Sequence, residues 1–487
     1  MMAVSLTVPQ GMLIDGQWGP TRSGATFEDL DPATGETLAV VASAQAEDID
    51  RAVQAAKRAF RQAPWARINP SERGRVLFKI GQLIRDHADE LARVEAQDVG
   101  KLLVDAKNEI LLCASLFEYY AGAADKILGE ALQSGPDKWA YVLREPLGVV
   151  GAIVPWNYPL PLASLKVAPA LAMGNAVVLK PAEEAPLTCL MLGQLALEAG
   201  VPAGLFNVIP GFGSVAGEAL IHHRDVAMIA FTGSTEVGRK IMHAAADRIA
   251  HVELELGGKS PQIIFPDANL DAALQGVAVG LFKNAGQDCC AGSRVFVHQA
   301  IFTEVVDRLS AIARAQQVGN PLDPGTTMGP LISQRQCQRV HHYVETAVAQ
   351  RAKVLEGGKP LFDGGEHHGN FYAPTVITEV TPEMTIFQEE VFGPVGILMP
   401  FHDEAEAIAL ANDTPYGLAA ALWTQDLSTA HRVAHQIEAG MVWINEYYAH
   451  EMVLPFGGYK QSGVGKDYSM HALEAYSQLK EVAVRLL

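Results

Sequence analysis

GVVGAIVPWNYPLPLASLKVAPALAMGNAVVLKPAEEAP, residues 148–186, decides the fold. Two continuous apolar runs, VVGAIV (149–154) and NAVVLK (175–180), enclose the helical segment LASLKVAPALAMG. The pattern continues outward with LFNVIP (205–210), VAMIAF (226–231) and HVELEL (251–256). Between these runs lie APLTCLMLGQLALEAG, SVAGEALIHH and TEVGRKIMHAAAD. Strands apolar on both faces and separated by helices belong to a parallel sheet covered on both sides. The expectation is an α/β protein with a doubly wound nucleotide domain, binding its ligand at the carboxyl ends of the strands where strand order reverses.

A second alternating α/β region runs from Gly258 to about residue 460. It has a helical stripe at Val305, Leu309 and Ile312, and strands at VGILMPF and MVWIN. Towards the N-terminus, Ile49, Val53, Ala56 and Phe60 mark one helix; Val76, Ile80 and Leu83 mark another, with Ser71 as its expected N-cap. WAYVLREP (139–146) and EVAVRLL (481–487) read as exposed strand edges that a partner subunit would cover. No fixed-period repeat appears.

Composition narrows the function. The 487 residues carry 37 basic and 55 acidic side chains, a net charge of −18, which disfavours nucleic-acid partners. The N-terminus has no basic segment leading into an apolar core, so no secretory signal is read. The longest uncharged stretch, 146–165, contains four prolines and does not suit a membrane helix. Five cysteines, an odd number without repeated CxxC spacing, fit a reducing compartment, and a cytoplasmic location is expected.

Chemistry concentrates in a few motifs. FKNAGQDCCAGSR (282–294) surrounds Cys289 with small and polar residues that are poor core material and leave room for a carbonyl to approach. LELGGKSP (254–261) places Glu255 at a strand end beside two glycines, where a carboxylate can act as general base. It is not a phosphate loop, because position 253 is Glu rather than Gly. Asn157, in PWNYP (155–159), offers an amide N–H to a developing oxyanion, although such an Asn is also a common turn residue. LKPAEEAP (179–186) offers Lys180 and Glu183 to ribose hydroxyls. FTGSTEVG (231–238) puts Gly233 and Ser234 where a pyrophosphate would meet a helix N-terminus. GFGSVAG (211–217), which contains Gly213, has one residue too many for GxGxxG. HEMVL (450–454) fails HExxH, the pairs His222–His223, His341–His342 and His367–His368 read as surface histidines, and no metal site is expected.

The order PWNYP, KPAE, FTGSTEVG, LELGGKSP, GQDCCAG, EEVFGPV (389–395), PFGGYKQSG (455–463) resembles the aldehyde dehydrogenase superfamily along essentially the whole chain, including the 34 residues from Glu255 to Cys289. The resemblance implies a dinucleotide-binding domain over 1–123 and 147–257, a catalytic domain over 258–469, and a small β oligomerisation element from 124–146 and 470–487. It implies aldehyde oxidation by Cys289 attack, oxyanion stabilisation by Asn157 and the Cys289 N–H, hydride transfer to NAD, and thioester hydrolysis with Glu255 as base; Lys166 joins the catalytic set. Ile153, Val154, Pro155, Trp156, Lys180, Glu183, Gly213, Phe231, Thr232, Gly233, Ser234, Leu256, Gly257, Glu390 and Phe392 would hold the cofactor. Glu183 should repel a 2′-phosphate, favouring NAD over NADP, though NADP use is compatible with the motif. Lys466-Asp467 replaces the more usual Arg-Glu near the C-terminus.

The same resemblance lines a substrate tunnel with Tyr158, Leu162, Leu165, Asp288, Cys290, His450, Glu451 and Phe456. Tyr158 and Phe456 offer cation–π faces and Asp288 and Glu109 negative charge, which suits an amino- or betaine-type aldehyde as well as the aromatic walls suit an apolar one. Asp288 stands where relatives often carry a small residue, and an acid there would raise the Cys289 pKa or meet a cationic substrate. The rivals are a CoA-acylating semialdehyde dehydrogenase, which does not need Glu255, and an inactive cofactor-binding structural protein; esterase activity is an expected side reaction. Subunits are expected to form a homodimer or homotetramer.

Overall fold

A computed structural model describes residues 7–62, 64–133, 135–361 and 369–486. An eight-stranded sheet has the spatial order 17–19, 12–14, 206–208, 176–180, 149–153, 228–232, 251–255, 463–464. Its five strands from 149 to 255 are mutually parallel, while those at 12–14 and 463–464 pair antiparallel. Strand order reverses beside Val149–Ile153: the next two strands in sequence lie on one side and the following two on the other. The register pairs Ile153 with Lys180 and Phe231, and Thr232 with Glu255, so four carboxyl ends finish level. The strands are buried along nearly their whole length, as their unbroken apolar runs require.

A seven-stranded sheet has the order 353–356, 375–378, 395–401, 294–298, 261–264, 419–423, 441–444, parallel except at the 353–356 edge. Residues 256–260 carry the chain from the carboxyl end of a first-sheet strand to the amino end of a second-sheet strand. The two sheets therefore face each other across a cleft, carboxyl ends against amino ends. Gly258 belongs to this crossing: a Cβ there would collide with the Cys289 carbonyl oxygen.

Several local expectations change. The Pro70–Asp86 helix is capped by Asn69, whose side chain accepts from the Ser71 N–H; Pro70 at the first helical position leaves Ser71 inside the first turn. In the third sheet, order 477–485, 138–146, 130–133, the Lys138–Pro146 strand is central rather than an edge. Both edges belong to its neighbours, and Trp139 and Leu479 remain 52% and 61% exposed. Among the described residues no helix is long and apolar enough to cross a membrane. His222 and His342 are exposed as expected, but His223 and His341 are half-buried against Asp50 and the Tyr372 hydroxyl. His367–His368 and the start of the N-terminal reading, Met1–Leu6, lie outside the described residues.

Candidate active site

Two cavities meet at Cys289, the one residue among those described that lines both. The first, about 200 Å³, lies at the strand-order reversal and is walled by Pro155, Trp156, Asn157, Thr232, Gly233, Ser234, Glu255, Leu256, Gly257, Glu390 and Phe392. Gln336 and Arg339 complete it. Neither was singled out in the sequence; they come from the Gln334–Ala349 helix, whose surface-like composition carries no motif. Gln336 donates to the Phe392 carbonyl at 2.8 Å and Arg339 to that of Glu390 at 3.1 Å, fixing this wall. Glu390 accepts from the Gly258 N–H at 2.9 Å, and Phe392 meets Trp156 edge to face with centroids 5.4 Å apart.

The cleft suits a dinucleotide. Ser234 caps the Thr235–Ala246 helix by accepting from Val237 N–H, leaving other first-turn N–H groups for an anion. Thr232 Oγ1 is buried without a partner. Beyond the cavity, Lys180 and Glu183 pair at 3.0 Å, and the Gly213 N–H donates to Glu183 at 3.2 Å, bringing these three together. Burial pushes the Glu183 carboxyl up, but the Lys180 charge and hydrogen bonds outweigh it and hold it below its ordinary value. Ile153, Val154 and Phe231 are buried strand-end residues beneath the cleft rather than in its wall, the Phe231 ring lying under Gly233.

The second cavity, about 290 Å³, is lined by Tyr158, Leu162, Leu165, Asp288, Cys290, His450 and Phe456, together with Glu109, Leu112, Lys283, Tyr448 and Tyr468. Glu451 is exposed and borders a neighbouring recess instead. The charges are arranged differently from expectation. Buried Lys101 pairs with Glu109 at 2.5 Å and sits 4.0 Å from the centroid of the Tyr158 ring. Glu109 is thus already matched by a cation, and one face of Tyr158 is taken. Sequence reading missed Lys101, since a lysine ordinarily reads as solvent-facing. Asp288 accepts from the Tyr158 hydroxyl and from the Cys290 N–H, both at 2.6 Å, tying the tunnel wall to the Cys289 loop.

The loop is held in strain. Asn284, Ala285 and Gly286 all have left-handed φ, between 49° and 69°, and a Cβ on Gly286 would collide with the Gly393 carbonyl. Asn157 Nδ2 donates to the Gln287 carbonyl at 3.0 Å, keeping its second N–H free, while Asn284 donates to the Asn157 carbonyl at 3.1 Å. The five cysteines form no disulfide; Cys289 is half-buried, whereas Cys113, Cys189, Cys290 and Cys337 are buried. Burial pushes the Cys290 thiol well up, with Cys289 and Asp288 adding to it, which makes Cys290 a poor nucleophile.

Glu255 ends its strand with both carboxylate oxygens buried and unpartnered. Burial, then Asp467 and Glu253, push its carboxyl well above the ordinary range despite Lys166 and Lys466. Lys166 lines neither cavity. Its ammonium binds Glu253 at 2.6 Å and Asp467 at 2.7 Å in the wall behind Glu255. A thiol reachable from both cavities, a free amide N–H and a buried carboxylate can perform acyl transfer to water.

Comparison with known proteins gives a consistent result. The model of the aldehyde dehydrogenase family matches residues 18–482. DhaS of Bacillus subtilis (strain 168) is 47% identical over 476 residues, covering 98% of this chain and 95% of that one. The NAD+ complex structure of an aldehyde dehydrogenase from Bacillus cereus superposes with a TM-score of 0.96 at 45% identity, covering 99% of this chain and 98% of that one. A betaine aldehyde dehydrogenase from Staphylococcus aureus, a point mutant in complex with NAD+, gives 0.97 at 39% identity, with the same coverage of 99% and 98%.

Proposed function

The chain belongs to the aldehyde dehydrogenase family, and on that footing we propose that it oxidises an aldehyde to its carboxylic acid with NAD as electron acceptor. The observation carrying this reading is the position of Cys289 at the junction of the two cavities. Cys289 releases its thiol proton to solvent as Sγ bonds to the aldehyde carbon, and the oxyanion accepts from the free Asn157 N–H and the Cys289 N–H. NAD bound in the first cavity supplies the chemistry of a hydride acceptor. Cys289 then carries an acyl thioester. Glu255 removes a proton from water as its oxygen attacks the thioester carbon, releasing the acid and restoring the thiol. Aldehyde, NAD+ and water thus become acid, NADH and a proton.

Lys180, Glu183 and Gly213 bind the adenosine ribose, with Glu183 disfavouring NADP; Thr232, Gly233 and Ser234 meet the pyrophosphate, Glu390 the nicotinamide ribose and Phe392 the ring. Ile153, Val154, Pro155, Trp156, Phe231, Leu256 and Gly257 shape the cleft. The buried, unpartnered Glu255 supports hydrolysis over transfer to CoA.

For the substrate, the betaine aldehyde dehydrogenase neighbour supports a cationic aldehyde, whereas the Lys101–Glu109 pair removes one anion from the tunnel. Asp288 is the remaining tunnel carboxylate, and a compact ammonium or trimethylammonio aldehyde is the substrate class we assign to it. The test compares kcat/KM for a cationic and a neutral aldehyde of equal length: a preference for the cation supports the assignment, and equal values remove it. The domain division we carry forward is 1–123 with 147–257, 258–469, and 124–146 with 470–487, and the Gly463–Val464 strand, though inside 258–469, pairs with the first sheet. A homodimer or homotetramer built on the third sheet and a cytoplasmic location complete the reading.

A further inference from the structure

Strand alternation puts Glu253 and Glu255 on the same face of the His251–Glu255 strand, and both are buried. The mechanism above uses only Glu255. Glu253 and Asp467 share the Lys166 ammonium, and all three side chains are fully buried. One oxygen each from Glu253, Glu255 and Asp467 lies within 4.8 Å of the other two. Oε1 of Glu253, Oδ1 of Asp467 and both oxygens of Glu255 find no hydrogen-bond partner.

One buried cation therefore faces three carboxyls. The other groups bearing on the cluster bring no second buried cation. Lys466, half-buried, donates to the Gly457 and Gly458 carbonyls. Tyr120, Tyr468 and Tyr476 are phenols whose ionisation burial suppresses. Ionising all three carboxyls would leave excess negative charge in a dry interior, so the cluster must retain protons.

Resting on the hydrolytic reading above, we propose that Glu253 is a positioning residue for thioester hydrolysis: through Lys166 it holds protons in common with Asp467 and Glu255, and so governs when Glu255 is free to take one from water. Burial, then Asp467, push Glu253 up to about 8 against the pull of Lys166. Its protons leave in steps that belong to the cluster rather than to any one carboxyl. Removing Glu253 deletes a competitor and a like charge from beside Glu255, so Glu255 ionises at lower pH. Lys166 keeps Asp467 as its partner, so the ion pair survives.

The test is Glu253→Gln, with Glu253→Asp as the conservative variant, in the full-length enzyme with NAD and saturating aldehyde. Glu253→Gln should move the acid limb of steady-state kcat to lower pH by roughly one unit or more, leaving the rate of the first NADH turnover and Tm undiminished. Glu253→Asp should restore the wild-type limb. An unshifted limb, or a Gln variant that folds poorly or melts lower, would identify Glu253 as a structural partner of Lys166 and overturn the proposal. Wild-type protein is the control for the underlying reading: if it forms no NADH from any aldehyde, both readings fall.

Discussion

Glu255 sits in the dry wall of the cleft with its ionisation displaced upward by burial, then by Asp467 and Glu253. A base so displaced is protonated and idle below its own pKa and ionised above it. Steady-state kcat should therefore fall with decreasing pH through a limb above the ordinary carboxylate range, while the first-turnover NADH burst stays level; stopped-flow absorbance across the pH range measures both. Glu255→Gln should keep the burst and stall afterwards, and undiminished steady turnover would refute its role. Asn157→Ala should lower kcat by about 10²–10³-fold, the usual effect of removing one oxyanion donor. Glu183→Gln should raise kcat/KM for NADP relative to NAD by roughly tenfold, as repulsion of the 2′-phosphate is relieved. Cys289 stood out because the small and polar residues around it are poor core material, whereas Glu255 and Asn157 took their roles from the order of motifs that resembles the aldehyde dehydrogenase superfamily. Lys101 and Glu253 did not stand out, because one charged residue looks solvent-exposed until the fold buries it; the Glu-Leu-Glu alternation at 253–255 was the one available signal.

Among the elements, the Arg294–His298 strand shows how the second sheet holds the nucleophile loop. Arg294 is fully buried and donates to the carbonyls of Lys259 at 2.8 Å, Leu410 at 3.0 Å and Ala411 at 2.7 Å, its guanidinium lying beside the adjacent rings of Phe296 and Phe387. Arg294→Met would leave those carbonyls unpaired and should cost at least about 3 kcal/mol, read as a lower urea midpoint at unchanged slope. An unchanged midpoint would show that water replaces the guanidinium. Two of that sheet's strands, at VGILMPF and MVWIN, were legible from apolar runs and the Phe302–Ala315 helix from its stripe. The use of amino ends in the second sheet was not, because hydrophobic period reports which face is buried and says nothing about which end meets the neighbouring sheet. Likewise the Lys138–Pro146 strand reads as an edge until its two antiparallel partners, distant from each other in sequence, are paired on either side.

At the scale of the whole molecule, the third sheet stands out by exposing apolar side chains on both faces, Trp139 on one and Leu132 and Leu479 on the other. Assembly through it predicts that the wild type sediments as a dimer or tetramer and that Leu479→Lys shifts the distribution towards monomer; a monomeric wild type would remove the assembly reading. The architecture of two facing α/β sheets was readable because the parallel-sheet pattern recurs along the chain, whereas the meeting of two cavities at one sulfur depends on the crossing at 256–260 and on the left-handed turn at 284–286, which only the folded chain displays. That meeting point is open to direct observation. Rapid acid quench of the Glu255→Gln enzyme with NAD and aldehyde, followed by peptide mass spectrometry, should find the acyl group on Cys289, in step with the NADH formed and unaffected by Cys290→Ala. NADH formed without an acyl group on Cys289, or an adduct that vanishes with Cys290, would contradict it.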